Sequence, residues 1–429
     1  MEYRVDNGVL RIENRPEGKR LCASPRVPAF DALEGELAGY NKICPLSPAN
    51  ACFLRARFPF TVPVAVPPHC ASFGTGDRLG TATPGHLRAI SKFDVFPILA
   101  QQSMRELSRT GRTAQDVIDA ATFGVFEAGW EKGFGADADH IKTVEDAVCC
   151  LRTGFTMFTI DAADHINKQG TTAEEIYGKA IAHIRSVYEA LKKAAEGRAF
   201  TFEVSIDETE TDTLPDHHVY VAKALKACGV DFQSLAPKFV GEFQKGIDYR
   251  GDIAEFERQF TAHAKIARDI GGYKISVHSG SDKFSIFPIV GKQSKGFFHC
   301  KTAGTSWLEA VRVAAVKAPA LYRKMHAFAL TRFQEDRKSY HVTTDLAAIP
   351  DLAALLDSEL PALMDKVDPR QLMHITYGSI LSAKDEAGRF VFRDDFYKML
   401  FDNEATHYQF LERHMERHLT LLGARKAQS

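Results

Sequence analysis

The chain lacks the sequence features that mark secreted, membrane-bound and polyanion-binding proteins. The N-terminal segment MEYRVDNGVLRIENRPEGK has no apolar core of a signal peptide, and no apolar run reaches the ~18 residues that a membrane-spanning helix requires. No run of basic residues is present, and the formal net charge is −1 at pH 7. Because nucleic-acid binding depends on basic residues that neutralise phosphates, this composition argues against a nucleic-acid partner. We expect a cytoplasmic protein that binds no membrane.

Several catalytic signatures are absent as well. None of the eight cysteines forms a C-x-x-C pair, and their spacing fits neither a zinc knuckle nor a disulfide framework, so we expect reduced thiols. The sequence has no G-x-S-x-G elbow, no P-loop and no nucleophilic cysteine arrangement. The glycines of GTGDRLG, residues 74–80, lack the second half of a dinucleotide fingerprint and the acidic residue that follows it.

What the chain does have is material for one large α/β domain. Its 429 residues include 30 phenylalanines, and 45% of the residues are hydrophobic, which suffices for an extensive core. From residue 70 onward, short apolar or mixed runs alternate with longer amphipathic stretches, as in parallel β-α units. We predict strands at 70–74, 134–140, 155–161, 200–207, 231–236, 273–278, 297–302 and 372–377. We predict helices at 97–109, 113–130, 143–152, 171–195, 215–228, 252–269, 305–316 and 352–365.

Eight strands that alternate with helices favour a closed (β/α)8 barrel, the TIM barrel, over an open sheet. We assign the barrel to residues 70–380, with an N-terminal extension at 1–69 and a C-terminal helical segment at 381–429. Within the extension, PFTVPVAV at 59–66 predicts short strands. We expect the extension either to cap the barrel bottom or to form a subunit interface of a homo-oligomer.

Polar residues gather at the carboxyl ends of most predicted strands, where a barrel of this kind forms its active site. Asp77 and Arg78 follow the first strand. Arg78 is suited to a substrate carboxylate through paired hydrogen bonds, and the alternative is a tight turn with a surface arginine. The second strand ends in Asp139 and His140, with Lys142 just beyond. Titratable groups at this density are costly to bury unless they have a role.

Residue alternation along the later strands directs titratable side chains into the barrel. In TFEVSID, Glu203 and Asp207 share one face while the apolar residues share the other. In YKISVH, Lys274 and His278 likewise share a face. The same alternation predicts further inward-facing residues on neighbouring strands, followed by a lysine in a loop: Asp161, His299, Lys301, His374 and Lys283.

A divalent metal ion is a simple way to keep a buried mid-strand carboxylate charged. Mixed imidazole and carboxylate ligands suit Zn2+, Mn2+, Ni2+ or Co2+. We predict such an ion, bound by Asp161, Glu203, His278 and His374. The alternatives are a helix N-cap for Asp161 and core histidines satisfied by hydrogen bonds. A metal would polarise a carbonyl group, and buried lysines would hold a negative substrate or exchange protons.

The same segments resemble the tagaturonate epimerase family over most of the chain, from about Ser72 to the segment HITYG. The motifs are SFGTGDRLGTATPGH, QQSMREL, GFGADADHIKT, FTMFTIDAADH, FEVSIDET, LAPKFVGEFQKGIDY, YKISVHSGSDKFSI and HCKTAGTSWLEA. The resemblance implies a metal-dependent barrel that interconverts the sugar acids D-tagaturonate and D-fructuronate in hexuronate breakdown.

Within these motifs we predict two groups of residues besides the metal ligands. The predicted catalytic residues are Asp139, Asp207, Lys274 and Lys301. The predicted binding residues for a small-molecule sugar-acid substrate are Asp77, Arg78, His140, Lys142 and Lys283.

The implied reaction inverts a carbon that is not adjacent to the ketone, so the carbonyl does not help simple proton abstraction. Two routes remain, namely reversible retro-aldol cleavage and transient oxidation by a tightly held nicotinamide. The missing dinucleotide fingerprint favours the retro-aldol route. In that hypothesis Asp139 or Asp207 removes the hydroxyl proton, and a second acid returns it after rotation.

Two other functions compete with that of a sugar-acid epimerase. A metal-dependent aldolase or isomerase of a related sugar acid would use the same site, and substrate profiling separates the two. A non-catalytic barrel subunit of an aldolase would have an eroded site, whereas Asp161, Glu203 and His278 are all present.

Overall fold

The N-terminal extension is an antiparallel sheet followed by a helix. The computed structural model describes residues 1–5, 8–207 and 211–427, so Glu208 and Thr209 of the motif FEVSIDET lie outside the described residues. The sheet has the strand order β1-β2-β3-β5-β4. Its elements are β1 (Glu2–Val5), β2 (Gly8–Arg15), β3 (Gly18–Ala23), β4 (Glu36–Ala38), β5 (Asn41–Cys44) and the helix α1 (Pro48–Arg57).

The predicted strands at 59–66 are wrong. Pro59–Thr61 is a 3-10 turn, and the prolines at 59 and 63 remove backbone donors that a ladder would need. The segment instead closes the amino-terminal end of the barrel. The Val64 backbone N–H donates to Phe134 O at 2.8 Å, and the Val66 N–H donates to Thr201 Oγ1 at 2.8 Å.

Eight parallel strands close into the predicted barrel, in the order β10-β11-β12-β13-β6-β7-β8-β9. They are β6 (Ser72–Gly76), β7 (Phe96–Ser103), β8 (Gly135–Ile141), β9 (Met157–Asp161), β10 (Thr201–Ile206), β11 (Ser234–Pro237), β12 (Lys274–Val277) and β13 (Phe298–Thr302). Closure comes from the pairing of β13 with β6, which sets His299 opposite Ser72. The (β/α)8 fold is therefore confirmed.

The predictions for residues 97–109 and 372–377 are both wrong, and together they leave the predicted number of strands at eight. Residues 97–109 are not one helix, because FPILAQQS forms β7 and only the residues after it form the helix Met104–Thr110. A capping box between Ser103 and Glu106 marks the change. Residues 372–377 are not a strand, because β13 pairs directly with β6. The segment contains the end of one helix at Ile375 and the start of the next at Tyr377.

Helices follow the barrel strands and continue beyond the last one. They are α2 (Thr83–Ile90), α3 (Met104–Thr110), α4 (Ala114–Ala128), α5 (Val144–Thr153), α6 (Ala173–Ala195), α7 (Pro215–Ala227), α8 (Ile253–Ile270), α9 (Phe287–Gln293), α10 (Thr305–Lys317), α11 (Pro319–Asp336), α12 (Val367–Ile375), α13 (Tyr377–Ser382), α14 (Arg393–Asp402) and α15 (Glu404–Leu421). The predicted helix at 171–195 is confirmed as α6, and its capping box pairs Thr172 with Glu175. The predicted helix at 352–365 consists of 3-10 turns and contains Pro361.

Two apolar cores position the site. One lies between the strands and the surrounding helices, and the other lies among α10 to α14 around Trp307 and Tyr322. Inside the barrel, Phe96, Ile98 and Met157 form an apolar cluster, against which Val66 packs. With the amino-terminal end closed in this way, access to the polar residues inside the barrel is from the carboxyl end.

Candidate active site

Lys301 on β13 contacts three carboxylates inside the barrel. Its Nζ atom lies 2.6 Å from Asp137 Oδ2, 2.7 Å from Asp139 Oδ1 and 3.1 Å from Glu203 Oε1. All four side chains are buried. Burial disfavours the lysine cation, but the three carboxylates outweigh it and hold the pKa of Lys301 above its usual value. Burial raises the pKa of Asp137 to about 6, whereas the neighbouring cations hold the pKa of Asp139 well below its usual range.

Glu203 on β10 fixes the orientation of His278 at the end of β12. Glu203 Oε1 accepts from His278 Nε2 at 2.7 Å, and Glu203 Oε2 accepts from Ser234 Oγ at 2.5 Å. The other ring nitrogen, His278 Nδ1, lies 3.3 Å from Asp207 Oδ1. Burial opposes the imidazolium, but Asp207 and Glu203 together raise the pKa of His278 to about 10. The second nitrogen of His278 therefore faces Asp207.

His140, Asp207 and His278 form a group with the geometry of metal ligands, which we call the mouth group. Each offers one ligand atom, and the three atoms lie within 4.8 Å of one another. Asp139 Oδ1 lies 2.7 Å from His140 Nδ1, so both histidines of the mouth group have a carboxylate behind them. Carboxylates in this position orient metal-bound histidines and raise their basicity.

Two cavities adjoin the mouth group. The inner cavity, which lies beside Lys301 and Asp139, has a volume of only about 20 Å³, and the outer cavity has a volume of about 410 Å³. Both are lined by His140, Lys245, His278 and Ser279. His140 and Ser279 are non-glycine residues with φ values of 55° and 48°, a sparsely populated conformation that often occurs at functional sites.

The predicted substrate ligands Asp77 and Arg78 are engaged elsewhere. The Asp77 carboxylate accepts from the backbone N–H groups of Gly80 at 2.8 Å and Ala82 at 2.7 Å, so it caps the turn before α2. Arg78 Nε donates to Glu106 Oε1 at 2.9 Å, and its guanidinium stacks on Tyr377 at 3.6 Å. Neither residue lines the two cavities, because both side chains stabilise the loop after β6.

Lys283, also predicted to bind substrate, is fully buried and donates hydrogen bonds to backbone carbonyl groups. Its Nζ atom donates to the carbonyl oxygens of Ile247 at 2.6 Å, Gln244 at 2.8 Å and Ser281 at 3.0 Å. Three donors are all that a lysine ammonium has. Burial lowers the pKa of Lys283 to about 7. The residue therefore joins the loops that follow β11 and β12.

Lys142 and Asp161 lie near each other, outside the two cavities. Lys142 Nζ lies 2.8 Å from Asp164 Oδ2 and 3.4 Å from Asp161 Oδ2, and the lysine is exposed. Asp161 Oδ1 accepts from the Ala163 backbone N–H at 2.9 Å. Asp161 thus caps the turn that follows β9, whereas the alternative interpretation, a helix N-cap, does not hold because Thr172 is the N-cap of α6.

Lys274 lies at the opposite end of the barrel interior. Its Nζ atom donates to Ser72 Oγ at 2.7 Å and to Cys70 O at 2.9 Å. Burial lowers its pKa to about 8. Ser72 Oγ in turn lies 2.9 Å from His299 Nδ1, so Lys274 contacts the closed end of the barrel rather than the cavities.

His374, predicted as a metal ligand on an eighth strand, lies on α12 instead. It is fully buried, and burial holds its pKa well below the usual value. Its ring lies against Gly246 and Gly304, where an added Cβ atom would come within 3.0 Å of ring atoms. The prediction that His374 faces inward from a strand is wrong, because the residue lies on a helix, which lacks the two-residue alternation of a strand.

A second group of the same residue types lies outside the barrel mouth. Asp282, His414 and His418 also bring their ligand atoms within 4.8 Å of one another, and we call them the clamp group. Asp282 belongs to the loop after β12, and both histidines belong to α15. Arg370 on α12 donates to Asp282 Oδ2 at 2.9 Å. The clamp group thereby joins the C-terminal helices to the loop that follows His278.

Sequence reasoning missed Gln101, Lys245 and Ser279 as cavity residues and His140 as a possible metal ligand. Gln101 was missed because its strand was predicted as a helix. Lys245 lies in the motif LAPKFVGEFQKGIDY, so the resemblance contained the signal, but the loop position gave no reason to single it out. No helix of the described residues is long and apolar enough to cross a membrane.

Comparison with known proteins adds to this geometry. A model of the tagaturonate epimerase family matches residues 17–176 and 169–422. A curated protein of Thermotoga maritima, named tagaturonate/fructuronate epimerase, is 44% identical over 96% of this chain and 91% of its own length. Fold, site and these similarities define a carbohydrate epimerase of the isomerase class.

Solved structures of tagaturonate epimerases are also similar to this chain. A glycerol complex of the fructuronate-tagaturonate epimerase from Cohnella laeviribosi has a TM-score of 0.95 and 42% identity, covering 99% of this chain and 96% of its own. The native crystal structure of the same Cohnella laeviribosi protein gives the same values. The chain therefore belongs to the tagaturonate epimerase family.

Proposed function

We propose that this protein interconverts D-tagaturonate and D-fructuronate with the help of a divalent metal ion at the barrel mouth. The observation that carries the proposal is the near-complete match to a relative of that name, at 44% identity over 96% of the chain. The barrel mouth supports it, because carboxylates, imidazoles and lysines line the outer cavity, whose volume is about 410 Å³.

The mouth group fits a divalent ion. His278 Nδ1 is buried and has no hydrogen-bond partner of acceptable geometry, although Asp207 lies 3.3 Å away. Two imidazoles and one carboxylate form a donor set suited to Zn2+, Mn2+, Ni2+ or Co2+. In this proposal His140, Asp207 and His278 hold the ion, and Glu203 supports His278 from behind. A bound ion of this kind supplies a Lewis acid that polarises a carbonyl oxygen.

The reaction then follows from the bond that breaks. Retro-aldol cleavage removes the proton of the C4 hydroxyl, and the electron pair of the C3–C4 bond moves toward the C2 carbonyl. The products are a three-carbon enediolate and a three-carbon aldehyde that carries the carboxylate. Rotation of the aldehyde before the bond re-forms inverts C4, and no redox partner is required.

Asp139 and Lys301 are suited to move the protons. Both line the inner cavity, and their Oδ1 and Nζ atoms are 2.7 Å apart. In the proposed step Asp139, which the neighbouring cations keep ionised, accepts the C4 hydroxyl proton. Its position in the inner cavity, rather than its basicity, assigns it this role, because a lowered pKa weakens a base. Lys301 donates to the oxygen of the re-formed alcohol, and transfer from Asp139 to Lys301 restores both groups. Of the two bases considered from the sequence, Asp139 is preferred because Asp207 belongs to the mouth group.

The proposal is tested with D-tagaturonate that carries deuterium at C4. Retro-aldol chemistry leaves the C4–D bond intact, so fructuronate should retain the label without a primary isotope effect. A primary isotope effect, or nicotinamide bound to the purified protein, would indicate transient oxidation instead. Loss of deuterium to water would indicate proton abstraction at C4.

Substrate profiling separates epimerase from aldolase. An aldolase of a related sugar acid would release three-carbon fragments as final products, whereas an epimerase retains them until the bond re-forms. Absence of fructuronate under every metal condition would overturn the proposed function.

A further inference from the structure

A sugar acid carries a carboxylate, which a cation of the protein would bind. Several buried lysine and arginine side chains already have protein partners. Lys301 is held by three carboxylates, and Lys283 donates to three backbone carbonyls. Arg78 pairs with Glu106, and Lys274 faces the closed end of the barrel. None of these four has its charge available to a carboxylate in the outer cavity.

Three lysine or arginine side chains of the described residues line the outer cavity, namely Arg105, Lys238 and Lys245. Arg105 is exposed and its guanidinium lies over the Tyr340 ring, and of the three cations only Lys245 also lines the inner cavity.

Lys245 is half-buried in the loop between β11 and α8, and it lines both the inner and the outer cavity. Its Nζ atom donates to Ser279 Oγ at 2.7 Å, and no carboxylate oxygen of the described residues lies within 4.0 Å of it. Because Ser279 directly follows His278, the ammonium lies one residue from the mouth group.

The backbone around Lys245 is fixed by hydrogen bonds from buried side chains. Four consecutive carbonyl oxygens, those of residues 244–247, each accept a hydrogen bond from a buried side chain. The donors are Lys283 to Gln244 O at 2.8 Å, Gln371 to Lys245 O at 3.3 Å, Arg370 to Gly246 O at 2.7 Å and Lys283 to Ile247 O at 2.6 Å. Such anchoring fixes the Lys245 backbone before any ligand arrives, which lowers the entropic cost of binding.

Gly246 completes this arrangement. Its φ is 72°, and an added Cβ atom would come within 3.0 Å of the His374 ring. Both facts favour glycine at this position. The loop can therefore lie flat against α12, with Lys245 as its contribution to the cavities.

We propose that Lys245 binds the carboxylate of the sugar acid and makes the enzyme selective for uronates over neutral ketoses, an inference that rests on the proposed function. Lys283, Gln371 and Arg370 are positioning residues, since they act on the substrate only through the Lys245 backbone.

The test compares wild-type protein with K245M and K245R. Calorimetry on metal-depleted protein measures binding of D-fructuronate and of D-fructose, in which CH2OH replaces the carboxylate. Turnover of D-fructuronate by the metal-loaded enzyme gives kcat/KM. We expect K245M to weaken D-fructuronate binding and lower kcat/KM about a hundredfold, with D-fructose binding unchanged. K245R should recover most of the loss.

Added salt provides a readout that a structural role would not move. The wild-type KM for D-fructuronate should rise with ionic strength, and that of K245M should be nearly insensitive. The matched control is K292M on α9, whose lysine is exposed and lies 3.6 Å from Glu257. It should behave as wild type.

Equal losses for both sugars in K245M, or unchanged D-fructuronate binding, would overturn the assignment. Failure of the proposed function would give a different result from failure of the Lys245 assignment. In that case the wild type converts neither sugar acid, while the binding comparison between wild type and K245M still decides the role of Lys245.

Discussion

The mouth group and the clamp group contain the same types of side chain at similar spacing, yet their surroundings differ. In the mouth group, Glu203 and Asp139 each contact one ring nitrogen of a histidine, and His278 Nδ1 has no hydrogen-bond partner of acceptable geometry. In the clamp group, the Asp282 backbone N–H donates to His418 Nε2 at 3.0 Å, and His414 Nε2 lies 2.7 Å from Asp282 Oδ1.

Neighbouring charge separates the groups further. Arg370 places a cation 2.9 Å from Asp282, in the position a metal ion would need to share. Lys301 lies among carboxylates that outnumber it, so the barrel mouth attracts further positive charge. If the mouth group binds a metal ion as proposed and the clamp group does not, the partners of each ligand atom, rather than the residue types, account for the difference.

The largest expected effect is on catalysis, from H278Q in the mouth group. A bound metal supplies several kcal/mol of transition-state stabilisation, so activity should fall about a thousandfold. Conversion of D-tagaturonate, measured by chromatography, checks this.

The matched variant in the clamp group is H414Q, which should keep most of the activity and lose thermal stability instead. Similar activity losses in H278Q and H414Q would contradict the distinction between the two groups.

The next largest effect is on stability, from D282N in the clamp group. This change leaves Arg370 buried with a weaker partner, and breaking a buried ion pair costs about 3–5 kcal/mol. Denaturant unfolding measures the loss. D269N, which removes an exposed i,i+4 pair with Lys265, is the control and should cost less than about 0.5 kcal/mol. Equal effects of the two variants would show that the clamp is not a stabilising contact.

The two groups should also respond to pH with opposite sign. Burial lowers the pKa of His418 from 6.5 to about 3, so within this window the unfolded chain binds a proton that the folded chain does not. Its stabilising contribution is present above pH 6.5 and falls with acidification by about 1.4 kcal/mol per pH unit. In metal-free protein the raised pKa of His278 gives the reverse, with stability lost as the pH rises toward 10.

Unfolding measured at pH 7 and pH 5 for wild type and H418Q tests the acid limb. The variant should lose less stability between the two pH values than the wild type does. An unchanged difference would mean that His418 does not titrate as its burial implies.

The smallest effect concerns Asp77, a carboxylate that belongs to neither group. D77A removes a cap that accepts backbone N–H groups before α2 and should cost about 1–2 kcal/mol of stability. The affinity for D-fructuronate should not change. A clear loss of affinity, measured by calorimetry, would restore the sequence-based prediction that Asp77 binds substrate.

Strand alternation predicted much of the barrel interior from the sequence. Glu203, His278 and Lys301 were predicted to face inward, and the structure brings them together because the strands that carry them are parallel and close on each other. Period-two alternation fixes only the side of a strand on which a residue lies.

The remaining predictions depended on information that alternation does not contain. It could not show that Lys274 faces the closed end, because depth in the barrel depends on register between strands. It also could not show that Arg78 and Lys283 would be engaged by distant residues such as Glu106 and Gln244. His374 was misplaced because FPILAQQS was predicted as a helix, which left the barrel one strand short.

The most direct test of the central claim is conversion of D-tagaturonate by metal-depleted protein, with and without added Zn2+, Mn2+, Ni2+ or Co2+. The account predicts fructuronate only when one of these ions is present, and no rescue of H278Q by any of them. Full conversion by protein shown by elemental analysis to be metal-free would contradict the assignment of the mouth group as a metal site.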